Sequence, residues 1–196
     1  MTGIILLDKP KGITSFGAVA RVRRICGEKK CGHTGTLDPM ATGVLVILIG
    51  RAAKAAEYLS CDEKGYLATL RLGEVYDTED VTGELISSTD ALPDEQAVYD
   101  AIKRFQGEIM QIPPMYSAIK INGQKLCDLA RKGREVERKP RPVTIYALDC
   151  LSFEGQTAKL RVHCSKGTYI RTLCKDIGDA LGCGGCMESL RRVTAG

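Results

Sequence analysis

One stretch gathers residues that can hold a reactive group without forming a helix or strand: Gly32-His33-Thr34-Gly35-Thr36-Leu37-Asp38-Pro39-Met40-Ala41-Thr42-Gly43. Its three glycines, three threonines and one proline oppose any regular element, so the stretch reads as a loop. Anchored on the apolar run that follows, such a loop can hold the Asp38 carboxylate at one orientation in a cleft. Pro39 fixes the backbone just after it. No lysine is present, which excludes a phosphate-cradling loop. Taken alone, the stretch leaves a turn-capping aspartate as the plainer alternative. Two other clusters invite a metal reading and lack the pattern for it. Asp77 to Gly83 has neither the ligand register nor the closing glutamate of a calcium loop, and reads as a hairpin turn. Cys183-Gly184-Gly185-Cys186 is half a zinc site with no second half, and both histidines, His33 and His163, are distant in sequence. No metal is expected.

The elements that must position Asp38 follow from periodicity. Ile4–Leu7 and Val44–Ile49 are apolar throughout, as expected of strands covered on both faces. Tyr66, Ala68, Leu70 and Leu72 form one stripe, and Ala158, Leu160, Val162 and Cys164 form another with polar residues between them. Helices are expected over Ser15 to Cys26, from about Asp94, and from a Thr168 cap through Ile170, Leu173, Cys174 and Ile177 to Gly182. The pattern predicts an α+β domain over 1–196: a mixed, largely antiparallel sheet flanked by helices. Residues 122–142 are polar, basic and Gly/Pro-punctuated, with a short helix near Gln124 to Lys132, and read as an excursion from the core.

Composition narrows the class. Apolar residues are 44% and charged residues 27% of the 196, the balance of a globular chain. No apolar run approaches the ~18–20 residues that cross a bilayer, so no membrane partner is expected. The first ten residues hold an acid, a lysine and a proline, unlike a secretion signal, and a cytoplasmic location is expected. The nine cysteines, at 26, 31, 61, 127, 150, 164, 174, 183 and 186, sit mostly in apolar patterns and read as reduced, buried thiols. The net charge is +4 and is localised. Residues 131–142 hold six basic and two acidic side chains; Arg21, Arg23, Arg24, Lys29 and Lys30, against Glu28, form a second cluster. Two such patches fit a polyanionic partner.

Seven stretches, in order, carry a resemblance. They are Gly3 with Leu7-Asp8-Lys9-Pro10, Gly12 and Thr14-Ser15; the Gly32–Gly43 loop; Lys64-Gly65-Tyr66 leading to Leu72-Gly73; and Asp77-Thr78 with Asp80 and Gly83. Then come Pro113-Pro114 with Tyr116-Ser117-Ala118, Lys120 and Gly123; Cys164-Ser165-Lys166-Gly167-Thr168-Tyr169-Ile170-Arg171-Thr172-Leu173; and Leu190-Arg191-Arg192. Over nearly its whole length the chain closely resembles the TruB family of tRNA pseudouridine synthases.

The resemblance implies a pseudouridine synthase catalytic fold and isomerisation of uridine 55 in the T-loop of tRNA, without cofactor. It makes Asp38 the nucleophile, Arg171 its partner, and Tyr66 the ring that stacks on the flipped base and helps remove the C5 proton. Tyr169 and Leu190 are then pocket-lining residues, His33 an RNA contact, and Lys9 with Pro10 a support for the active-site loop that is counted with the RNA-binding residues. Arg131, Lys132 and Arg134 make the excursion a basic, thumb-like grip on the T-arm. Family members are expected to continue past Leu190-Arg191-Arg192 into a C-terminal RNA-binding (PUA) domain, which this chain is expected to lack, and to carry histidine near the RNA surface where Cys186 stands. A monomer with no obligate protein partner is expected. Two other roles remain: a tRNA-binding folding chaperone, and the catalytic subunit of a guide-RNA particle, which the lack of long extensions disfavours.

Overall fold

The computed structural model describes every residue except Glu57, Ser60 and Cys61, so the expected burial of Cys61 lies outside the described residues. The chain opens with β1 (Gly3–Lys9), α1 (Ser15–Cys26), β2 (Cys31–His33) and β3 (Thr42–Ile49). A turn of 3-10 helix leads to β4 (Glu63–Leu72), the hairpin β5 (Glu74–Tyr76) and β6 (Leu85–Ser88), α2 (Glu95–Arg104) and β7 (Gly107–Gln111). An excursion follows, with the short strands β8 (Lys120–Ile121) and β9 (Gln124–Lys125) and the helix α3 (Leu126–Ala130). The chain returns through β10 (Arg141–Glu154), β11 (Thr157–Ser165), α4 (Ile170–Ala180) and β12 (Gly185–Thr194).

Eight strands form one sheet in the order β1-β3-β12-β4-β11-β10-β7, with β2 also paired to β3. All its pairings are antiparallel except β3 with β12, which run parallel at Thr42 and Gly43. This is the mixed, largely antiparallel α+β sheet that the alternating stripes predict. Register explains the core. Tyr66 opposes Val162, Ala68 opposes Leu160 and Leu70 opposes Ala158, so both stripes share one face. That face packs against Leu173, Cys174 and Ile177 of α4 and Ala18, Val19 and Val22 of α1.

Helix boundaries follow their caps. Thr14 accepts the Gly17 N–H at the start of α1, and Asp94 accepts the Ala97 N–H at the start of α2. The expected Thr168 cap on α4 is not made, because the Thr168 hydroxyl donates to the Ser165 carbonyl. Gln111, the last residue of β7, does that work instead: its Oε1 accepts the Tyr169 N–H at 3.0 Å and its Nε2 donates to the Tyr169 carbonyl at 3.2 Å.

Four further expectations are corrected. β1 is not covered on both faces: Ile4 and Leu6 are 52% and 73% exposed, and only Ile5, Leu7 and Lys9 point inward from this edge strand. The Gly32–Gly43 stretch is a loop only over 34–41, since Gly32 and His33 pair with Leu48 and Ile47, while Thr42 and Gly43 begin β3. The excursion ends before Arg141, which with Pro142 pairs to Gln111 and Met110 of β7. Cys186, expected in a stretch near the RNA surface, has no exposed surface of its own.

Candidate active site

The loop at 34–41 is irregular yet held from three sides. Lys9, at the inward end of β1, has no exposed surface; its ammonium donates to the carbonyls of Pro10, Ile13 and Pro39 at 2.9, 2.8 and 3.3 Å. Ser15, in the first turn of α1, accepts the Leu37 N–H and donates to the Leu37 carbonyl, so one buried hydroxyl fixes the residue before Asp38. From β12, the buried Arg192 guanidinium donates to Val44, Thr36 and Gly35 carbonyls at 2.8, 3.4 and 3.1 Å. Gly43 allows this approach: its φ is +100°, and a side chain there would collide with the Arg192 carbonyl.

Asp38 projects from this clamped loop with its side chain about a third exposed, 33%, against 6% for its partner Arg171. Arg171 lies in the first turn of α4, and its Nε stands 2.9 Å from Asp38 Oδ2. That N–H does not point along the contact, so the pair is ionic rather than an aligned hydrogen bond. The other two nitrogens are aligned: Nη1 donates to Thr78 O at 2.9 Å and Nη2 to Tyr116 O at 2.8 Å. One guanidinium thereby joins the 34–41 loop, the β5–β6 turn and the root of the excursion. A second carboxylate, the buried Asp80, lies 3.8 Å from Arg171 Nε and is itself satisfied by Thr78 and Thr82. The cation offsets the cost of a carboxylate in a partly buried cleft and fixes its orientation.

Tyr66 sits on β4 directly opposite Arg192 of β12. Burial pushes its phenol above the usual range; the Arg192 charge opposes that, and Asp38 lies close enough to add to it. Tyr169, the residue before α4, is likewise raised by burial, with Arg171 opposing and Asp38 adding. His33 is half-buried, and its pKa is lowered first by burial and then by Arg192, which favours the neutral ring. Its Nδ1 has no hydrogen-bond partner. Leu190 is buried opposite Ala68.

The structure therefore brings together Asp38, Arg171, Tyr66 and Tyr169. Lys9, expected among the RNA-binding residues, has no exposed surface and holds the Pro39 carbonyl. Arg131, Lys132 and Arg134 are exposed on the excursion, outside the cleft, with Arg131 loosely paired to Asp128 at 3.6 Å. Sequence reasoning missed Ser15, Asp80, Gln111 and Arg192. For Arg192 a signal was available, because it lies two residues past the inward Leu190 on a strand, which places a charge on the core face. Asp80 was read only as part of a turn, whereas the turn docks on β12 through Val81 N–H to Met187 O and Met187 N–H to Glu79 O. Among the described residues no cluster of histidine, cysteine and carboxylate could hold a metal.

The sheet and its loop superpose on a chain of a Cbf5–Nop10–Gar1 complex with a TM-score of 0.77 at 34% identity, covering 99% of this chain and 49% of that one. A chain of an H/ACA RNP bound to a substrate RNA containing 2'-deoxyuridine gives 0.73 at 32% identity, covering 99% and 47%. The fold is that of the pseudouridine synthases. Residues 23–170 match the TruB family pseudouridylate synthase N-terminal domain and residues 171–196 the tRNA pseudouridylate synthase B C-terminal domain, so the chain belongs to the TruB family. Similar curated proteins include tRNA pseudouridine synthase B of Clostridium acetobutylicum, 52% identical over all 196 residues and 68% of its own length. That of Pseudomonas fluorescens is 51% identical over 196 residues and 64% of its length. The chain thus spans about two thirds of these relatives and about half of the solved chains.

Proposed function

We propose that the chain isomerises a uridine in tRNA to pseudouridine, at position 55 of the T-loop, with Asp38 as the nucleophile and no cofactor. The observation that carries this is the Asp38–Arg171 pair at 2.9 Å: an accessible carboxylate on a clamped loop, backed by a buried cation. The target base leaves its stack and enters the cleft, where the Tyr66 ring offers a stacking face. The glycosidic C–N bond breaks, Asp38 holds or stabilises the separated fragments, the uracil turns, and a C–C bond forms at C5. The proton on C5 leaves and one is gained at the freed ring nitrogen, so no external electrons are needed. Tyr66, neutral and near Asp38 and Arg192, is placed to help move that proton. Curated relatives about half identical are named tRNA pseudouridine synthase B, which supports tRNA over the substrate RNA of the more distant H/ACA RNP.

The test is tritium release from tRNA carrying 5-tritiated uridine. The wild-type chain is expected to release tritium, and Asp38→Asn to lose release by at least ~1,000-fold while still binding tRNA. Folded wild-type protein that binds and refolds tRNA but releases nothing would overturn the isomerase reading in favour of the folding chaperone.

A further inference from the structure

The excursion carries one basic cluster, Arg131, Lys132 and Arg134. A second cluster lies elsewhere. Arg21, Arg23, Arg24, Lys29 and Lys30 are all exposed at the C-terminal end of α1 and in the turn that follows. Among the described residues none of the five is in ion-pair reach of a carboxylate. The acid in this stretch, Glu28, is already engaged by the Met1 ammonium at 3.1 Å and by the Lys30 backbone N–H at 3.3 Å. Complementing the helix C-terminus accounts for only part of the surplus, since that end carries about half a negative charge.

Position gives the cluster a role. α1 starts where Ser15 grips Leu37, next to Asp38, and its twelve residues at ~1.5 Å each put the basic end ~18 Å from the catalytic loop. α1 packs beside β2 and β3 at one end of the sheet, whereas the 131–134 cluster leaves from β7 and β10 at the other. β12 and β4, which carry Arg192 and Tyr66, lie between them. From β1 to β7 are six strand steps of ~4.8 Å, or ~29 Å across. Two basic surfaces therefore flank the site from opposite ends.

We propose that the basic end of α1 is a second RNA-contacting surface, gripping the phosphate backbone of the substrate on the side of the cleft opposite the excursion. The proposal rests on the RNA reading above. Phosphate is the matching chemistry, because solvated arginines and lysines with no carboxylate partner gain affinity by releasing counterions and read no sequence.

The test is charge reversal, R21E/R24E/K29E, in the full chain, with tRNA binding measured over a salt series. Losing three phosphate contacts at ~0.7–0.9 each should make the slope of log K against log salt shallower by about 2. Affinity at low salt should fall by more than ~10-fold. Neutral R21Q/R24Q/K29Q should lower the slope in the same direction, and an unchanged melting temperature confirms that each variant is folded. Unaltered slope and affinity in both variants, beside a wild type that binds tRNA, would overturn the proposal. A wild type that binds no tRNA would instead overturn the RNA reading itself.

Discussion

Arg171 shows at the scale of one residue why the site needs an arginine. Its three nitrogens, spread across a planar fork, meet three segments distant in sequence, Asp38, Thr78 and Tyr116, a span that a point-like ammonium lacks. Arg171→Lys keeps the charge and gives up the fork. We expect kcat to fall by ~100-fold with tRNA affinity nearly unchanged, the cost of an ångström-scale misplacement of Asp38. Single-turnover tritium release checks this, and a lysine variant with full turnover would reduce Arg171 to a neutralising charge. Asp38 and Arg171 were legible in the sequence through their motifs. Ser15 was not, because a serine at a helix start looks like any polar residue until the fold brings Leu37 to it.

Two predictions belong to α4 as an element. Gln111→Met removes the acceptor of the Tyr169 N–H, while the Tyr169 carbonyl keeps its bond from Leu173. One buried N–H left unpaired costs ~1–3 kcal/mol, a fall of roughly 3–10 °C in Tm for a chain of this length. Thermal unfolding followed by circular dichroism measures it. Further along the helix, burial raises the Asp176 carboxyl from 3.8 to about 6, with Lys175 opposing and Glu79 and Asp179 adding. The folded chain therefore keeps this proton at pH values where the unfolded chain has released it. Stability falls as pH rises from 3.8 to about 6, and the cost is complete above that. Asp176→Asn should gain about 2–3 kcal/mol at neutral pH and nothing below the unfolded carboxylate range. Denaturant unfolding at two pH values decides it, and an equal gain at both would refute the assignment. The strands and helices themselves were readable because their apolar periods are regular. The cap on α4 was misread because the bond comes from Gln111, 58 residues earlier, a partner no local pattern discloses.

Across the whole molecule, sheet order explains what periodicity could not. Two-residue alternation fixes which side chains share a face but not which strand neighbours which, so the placement of β12 between β3 and β4 was invisible in the sequence. The same ignorance produced the error at β1, whose apolar run looked buried until its position at the sheet edge left Ile4 and Leu6 in solvent. That topology also sets an order of events. Arg192 reaches back across 148, 156 and 157 residues to Val44 on β3 and to Thr36 and Gly35 of the 34–41 loop. Contacts so remote in sequence form late, after the loop-closure entropy of the intervening chain has been met by nearer pairings. In refolding, recovery of tritium release should lag recovery of the β-sheet circular dichroism signal; coincident recovery would contradict this. Arg192 is thus a clock as well as a clamp: the loop made from residues 34–41 stays unfinished until β12 arrives, so a nascent chain still short of Arg192 folds part of its sheet with that tie unmade.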